Sequence, residues 1–487
     1  MSDVTAGPVP QLARPNFRTI ALIIASAMFM EQLDATVLAT ALPTMAHSFD
    51  VSPAHMSIAL TSYLLSLAVL IPASGKVADR FGARTVFTCA IIVFVLGSVL
   101  CAQAPTLPFL VGARLLQGAG GAMMMPVGRL VLLRTVEKKD MVSAMSWLLV
   151  PALIGPILGP PVGGLIVTYL DWRWIFYINV PISVLGIVLT QIFIPNMREH
   201  KREPFDLMGF VLSGISLSFL LFGFEMTSRG ALEEAPLAFA LIVLGIASGA
   251  AYVVHARRPR DFAPILDLSL MRVRTFRISV IAGSLSRITQ GAQPFLLPLM
   301  MQIGFGMSAA ESGLLTLATA GGSMLMKAAA KPVLRRFGFR TTLVWNGVLS
   351  SLLYAACATF RPDWPQWAIF LVLMVCGFSM SLQFTAYNTV AYDDIPPTRT
   401  SSANSFYTTF QQLMLSFGIC AGAMALTASR LVSGHLHPAL GDFSVAFIVV
   451  TAISLLAAPV CAKLPANAGD AMSGRRNKQR RAAEVAI

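Results

Sequence analysis

Glu31 and Asp34 lie near the middle of an apolar run over residues 18–44, three positions apart and so on one face of a helix. A bare carboxylate at that depth in a bilayer costs on the order of 3 kcal/mol on insertion scales, so each must face a water-filled cavity or a partner. Burial and a neighbouring like charge both work against ionisation, which makes the two acids candidates for taking up and releasing protons. Their alternative role is to bond a neighbouring helix. Arg114 is the cationic counterpart, inside a run over 107–130, and a guanidinium cannot be hidden there without a partner. A second buried cation, Arg287, stands in a run over 276–303 and is followed by Gln290 and Gln293; Gln383, Phe384, Tyr387 and Asn388 follow in a run over 366–390. Together these are candidates for lining a substrate cavity, although bonding between helices is the ordinary role of such amides.

Chemistry of other kinds is not signalled. The six cysteines, Cys89, Cys101, Cys357, Cys376, Cys420 and Cys461, lie in or beside apolar runs without metal-type spacing. No nucleophile with its base, metal cluster or phosphate loop stands out, so neither an enzyme nor a cofactor or metal is expected.

The elements that must position these residues follow from composition. Of 487 residues 56% are hydrophobic and only 12% charged, with a mean hydropathy of +0.71, which places the chain in a lipid bilayer. A net charge of +13 would suggest nucleic acid in a soluble protein. Here the basic residues sit in short loops: Lys76, Arg80 and Arg84; Lys138 and Lys139; Arg198 and Lys201; Arg272 and Arg274; Arg335, Arg336 and Arg340; Arg475 and Arg476. Alternate loops are almost free of them, so the basic side is expected to be cytoplasmic, with both termini on it and no nucleic-acid partner. Residues 1–17 lack the basic, apolar and small-residue order of a cleaved signal.

Runs of about 20 apolar residues fall at 18–44, 54–74, 85–104, 107–130, 141–168 and 174–194, then at 207–226 and 236–255, then at 276–303, 309–330, 341–360, 366–390, 401–428 and 443–463. The expected fold is all-α and integral to the membrane: two six-helix bundles with an inserted two-helix hairpin, about fourteen spans in all. Its boundaries are a cytoplasmic segment 1–17, a first bundle 18–195, a linker with the hairpin 196–263, a second bundle 264–465 and a basic tail 466–487. A repeat supports the two halves, because Gly75 to Thr85 (GKVADRFGART) and Lys331 to Thr341 (KPVLRRFGFRT) share RFGxRT after the second run of each. In the fifth run Gly155, Gly159 and Gly163 recur every four residues, with Gly164 and with prolines at 156, 160 and 161. Such a helix should be bent and packed tightly against a neighbour.

Taken in order, LDATVLATALP (Leu33 to Pro43), GKVADRFGART, RLLQGAGGA (from Arg114), GPILGPPVGG (from Gly155) and WRWIFYINVP (Trp172 to Pro181) resemble the motifs of the major facilitator superfamily, specifically its fourteen-span drug:proton antiporters. That resemblance implies a proton-driven exporter of small molecules in the bacterial inner membrane, acting as a monomer, with protons, substrate and lipid as its partners. A multidrug substrate range is implied first, and a specific metabolite or metal chelate such as citrate or iron citrate second. Asp34 would serve the proton or a cationic substrate and Arg114 would assist coupling. Gly75, Asp79, Arg80, Gly82 and Arg84 would form the gating loop, and Gly155, Pro156, Gly159, Pro160, Gly163 and Gly164 the antiporter hinge. Two features depart from the pattern: Ala83 replaces a basic residue of the loop motif, and neither Glu31 nor Arg287 is covered by it.

Overall fold

The computed structural model describes residues 17–135, 141–195, 204–228, 234–258, 264–396 and 399–469. The expected terminal segment and tail therefore fall largely outside the described residues. Within them the chain forms helices and no strand, as a hydrocarbon environment demands of backbone groups that water cannot satisfy. The first half comprises α1 (Phe17–Ser48), α2 (Pro53–Phe81, broken at Ser57), α3 (Ala83–Ala102), α4 (Leu107–Thr135), α5 (Met141–Tyr169) and α6 (Trp174–Phe193). The hairpin is α7 (Leu207–Ser228) and α8 (Ala235–Arg257). The second half comprises α9 (Arg274–Leu299), α10 (Ala309–Phe337), α11 (Phe339–Thr359), α12 (Gln366–Val390), α13 (Thr400–Ser433) and α14 (Leu440–Cys461).

Among the described residues, 11 helices are long and apolar enough to cross a membrane, and the fully described part of α5, Ile154–Tyr169, is a shorter apolar stretch. α9 and α10 are long enough, with 26 and 29 residues. Arg274, Arg277 and Arg287 dilute the hydropathy of α9, and Glu311, Lys327, Lys331, Arg335 and Arg336 that of α10. Each expected apolar run coincides with one helix.

The repeated loop is visible in the backbone. Gly82 (φ 93°) ends α2 and starts α3, and Gly338 (φ 77°) does the same between α10 and α11, each N–H bonding the carbonyl four residues back. A left-handed φ is accessible to glycine without a Cβ clash, which explains this shared residue of RFGxRT.

Packing repeats as well. In the first half α1 packs on α5, α2 on α4 and α3 on α4; in the second α9 packs on α13, α10 on α12 and α11 on α12. The halves meet along two seams, α5 against α10 and α2 against α13. At the end away from the basic loops they share one apolar cluster, including Leu42, Ile166, Phe176, Phe295, Leu315 and Phe447. Toward the basic end the clusters are separate, one in the first half around Ile24, Phe87 and Val127 and others in the second around Phe339 and Tyr387 or Phe276 and Phe406. The molecule is thus joined at one end and divided at the other.

Candidate functional site

Asp34 points into the interior of the first half. Its Oδ2 accepts from Arg114 Nη1 at 2.7 Å, and its Oδ1 from Gln117 Nε2 at 2.8 Å and Asn179 Nδ2 at 3.1 Å. Arg114 and Gln117 reach the same carboxylate because they are three residues apart on α4. Arg114 also donates through Nε to Ala59 O (2.9 Å) and through Nη1 to Gln117 Oε1 (2.6 Å), with its Cζ 4.4 Å from the Tyr63 ring centre. Gln117 and Asn179 both donate to Ser98 Oγ. Five helices, α1 to α4 and α6, are therefore tied through one ion pair with Arg114 at 0% exposure. Every hydrogen bond to Asp34 among the described residues is a donation to its carboxyl oxygens, so both oxygens are engaged as acceptors.

Glu31, one turn away, is placed differently. Its side chain is 5% exposed, and Oε2 has no hydrogen-bond partner among the described residues. The charges acting on it are those of Arg129 on α4 and Asp34. Arg129 also acts on Tyr392, which follows α12 in the other half.

Between the halves, where the shared cluster ends, lies a cavity of about 300 Å³. Thr36, Ala39 and Thr40 of α1, Pro156, Ile157 and Pro160 of α5, Gln293 and Leu297 of α9, and Thr316, Thr319 and Lys327 of α10 line it. Lys327 is the charged residue of this lining. Arg287 lies deeper in the second half, 3% exposed, with its Cζ 5.1 Å from the Phe384 ring and 5.4 Å from that of Tyr407. Its Nε and Nη2 have no hydrogen-bond partner among the described residues. Gln290 and Phe384 keep part of their surface accessible, as does Asn388, which accepts from Gln411 at 2.7 Å. Gln383 and Tyr387 do not join this set. They are buried inside the second half, Gln383 bonding Leu343 O and Asn346, and Tyr387 bonding Gln383 and Cys461, so their contacts tie helices together.

The loop and hinge motifs occupy seams and turns. Gly75 faces open space, and Asp79 is engaged in a polar interaction. Arg80 lies over the Phe81 ring, Arg84 reaches Ile194 O at 3.4 Å, and the neighbouring Lys76 donates to Pro204 O at 3.0 Å. Gly155, Gly159 and Gly163 lie against α1, where a Cβ would overlap Gln32, Thr36 and Thr40 in turn. Pro156 and Pro160 turn toward the cavity. Gly164 lies against the Ala309 carbonyl, Gly313 against that of Pro160, and Ala310 N donates to Thr168 Oγ1 at 3.0 Å. The glycine pattern thus closes α5 on α1 within its half and on α10 across the seam.

The sequence profile of the Major Facilitator Superfamily matches residues 24–419. The chain belongs to the major facilitator superfamily. Among relatives of this facilitator is the "Putative multidrug resistance protein MdtD" of Escherichia coli O6:H1 (strain CFT073), 37% identical over 449 residues, covering 91% of this chain and 94% of the relative. The protein of the same name from Serratia proteamaculans (strain 568) is 38% identical over 397 residues, covering 82% of each. Solved structures of similar fold include the POT family transporter PepTSo (TM-score 0.69, 14% identity, 95% of this chain and 98% of that one). A D-xylose–proton symporter is similar at TM-score 0.65 and 16% identity, over 93% and 98%.

Several residues of the facilitator's site carry no strong signal in the sequence. Gln117 and Asn179 stand inside quoted motifs but are ordinary amides there, and Ser98 and Tyr63 are unremarkable in apolar runs. Arg129 and Lys327 read as snorkelling side chains near helix ends. The structure sets Lys327 in the cavity wall, and the charge of Arg129 acts on both Glu31 and Tyr392 of the other half.

Proposed function

We propose that the chain is a fourteen-span, proton-coupled exporter of amphipathic compounds in the bacterial inner membrane, with its basic end and both termini cytoplasmic. Its substrates enter the cavity from the divided end and leave after the joined end parts. The export of drug-like compounds is supported by the relatives' names and by the mainly apolar cavity wall. No cofactor is required, since the proton gradient supplies the driving force.

The observation that carries the coupling is Glu31: a buried acid with an unbonded oxygen, one turn from Asp34 of the Asp34–Arg114 pair and acted on by the charge of Arg129. Neutralising Glu31 removes its electrostatic attraction for Arg129, whose charge also acts on Tyr392 of the second half. A protonation event of that kind biases an equilibrium between two access states. Asp34, already saturated by donors, organises the first half around that event. The test is Glu31→Gln in proteoliposomes with an imposed pH gradient and ethidium as the probe. It is expected to lose uphill accumulation while keeping downhill exchange, and unimpaired accumulation would falsify the assignment.

A second reading, export of an anionic metabolite or metal chelate, is favoured by one observation: Arg287 is a buried cation without a carboxylate partner among the described residues. Arg287→Ala in the same assay separates the two. Loss of citrate transport with ethidium transport spared selects the anion, whereas equal effects on both probes remove this reading.

A further inference from the structure

The two seams are related by the internal repeat, and they are closed differently. On the first, backbones touch directly, Gly313 of α10 against Pro160 of α5. On the second, the equivalent positions are Ser57, the fifth residue of α2 as Gly313 is of α10, and Cys420, at nearly the same height on α13 as Pro160 on α5. The hairpin helix α7 packs on both α2 and α13. From it Glu225, 0% exposed, reaches across: Oε1 lies 3.0 Å from Ser57 Oγ, whose hydroxyl also faces Ala54 O at 2.7 Å, and Oε2 lies 3.3 Å from Cys420 Sγ. Leu65, Leu221 and Cys420 form a small apolar cluster around this point.

We propose that Glu225 is the clasp of the second seam, a gating residue that binds one side chain from each half and holds the end away from the basic loops closed. A buried carboxylate is a demanding choice for a mere packing position, because it must be bonded or it destabilises the fold. Here its two oxygens are divided between the halves, so that parting α2 from α13 at this level breaks at least one bond. The hairpin is then a working part of the alternation, positioned to stabilise the state joined at that end. This inference rests on the alternating-access reading above.

The test uses Thr316→Cys, a cavity position, as a reporter labelled by a membrane-impermeant maleimide added from the face opposite the basic end. Cutting one buried hydrogen bond and leaving its partner unsatisfied shifts such an equilibrium by up to about tenfold. Glu225→Ala, Ser57→Ala and Cys420→Ala are each expected to raise the labelling rate by about that factor at normal abundance. Because a clasp cut at either side is already open, Ser57→Ala combined with Cys420→Ala should add little to either alone. If Glu225→Ala does not reach the membrane, the two single-atom deletions carry the test. Unchanged labelling in Ser57→Ala and Cys420→Ala, or full additivity between them, overturns the clasp. A reporter that fails to respond to a pH gradient in the parent protein overturns the alternating-access reading instead, so the two failures are distinguishable.

Discussion

Removing the charge of Asp34 removes one side of a fully buried ion pair and leaves Arg114, whose Nη2 has no partner among the described residues, uncompensated among apolar helices. Breaking such a pair from one side costs about 3–5 kcal/mol, because the remaining charge keeps its desolvation penalty. Asp34→Asn is therefore expected to lower the thermal midpoint in detergent and the amount of protein in the membrane. Asp34→Asn with Arg114→Gln should recover much of that loss, and a double-mutant cycle measures the coupling. Loss of transport in Asp34→Asn alone would then report folding as much as proton chemistry, which is why Glu31 is the cleaner probe. Spacing within α1 and α4 made Glu31, Asp34 and Arg114 legible in the sequence, since ionisable residues in apolar runs are conspicuous. Their division of labour was not legible. It depends on Asn179 and Ser98 from other helices, and amides or hydroxyls in a helix give no sign of which neighbour they meet.

At the level of single helices, small residues decide where α5 sits. Gly164→Leu places a side chain where the Ala309 backbone lies, so the first seam cannot close without displacing α10. Transport is expected to fall at least about tenfold on this account, while Gly75→Ala, which enters open space, stays near wild type. Measured uptake normalised to membrane abundance checks both. The hairpin is anchored at its other end by Asp206, buried at the start of α7. Burial opposes its charge, but bonds from His255, Gly209 N–H and Ile265 N–H outweigh that and hold its carboxyl below the usual carboxylate range. A depressed folded value contributes stability that is complete above the unfolded value near 4 and is lost as pH falls through the folded one. Asp206→Ala should accordingly cost about 0.5–2 kcal/mol at neutral pH, as the loss of other capping side chains does. The difference from the parent should shrink in thermal melts below about pH 4. The antiporter glycines predicted a tight helix contact from sequence, whereas Asp206 gave no sign of joining α7 to α8, because its partners are far along the chain.

For the whole molecule, the positive-inside pattern predicts that reporters fused after Ile487 and near His200 read cytoplasmic and that one near Gly230 reads periplasmic. An alkaline phosphatase and fluorescent-protein pair reads each site, and the opposite pattern at any of them refutes the six, two and six order. Apolar run length and the RFGxRT repeat carried the architecture into the sequence, because hydrocarbon thickness fixes helix length and a left-handed turn selects glycine at Gly82 and Gly338. The state of the molecule, joined at one end, depends on contacts between halves and is written in no local pattern. The covering of one seam by α7 has a consequence for traffic through the lipid. Among the described residues, the hairpin covers the seam between α2 and α13 and not the one between α5 and α10, so under the proposed export the uncovered seam is the expected sideways entrance for compounds dissolved in the bilayer.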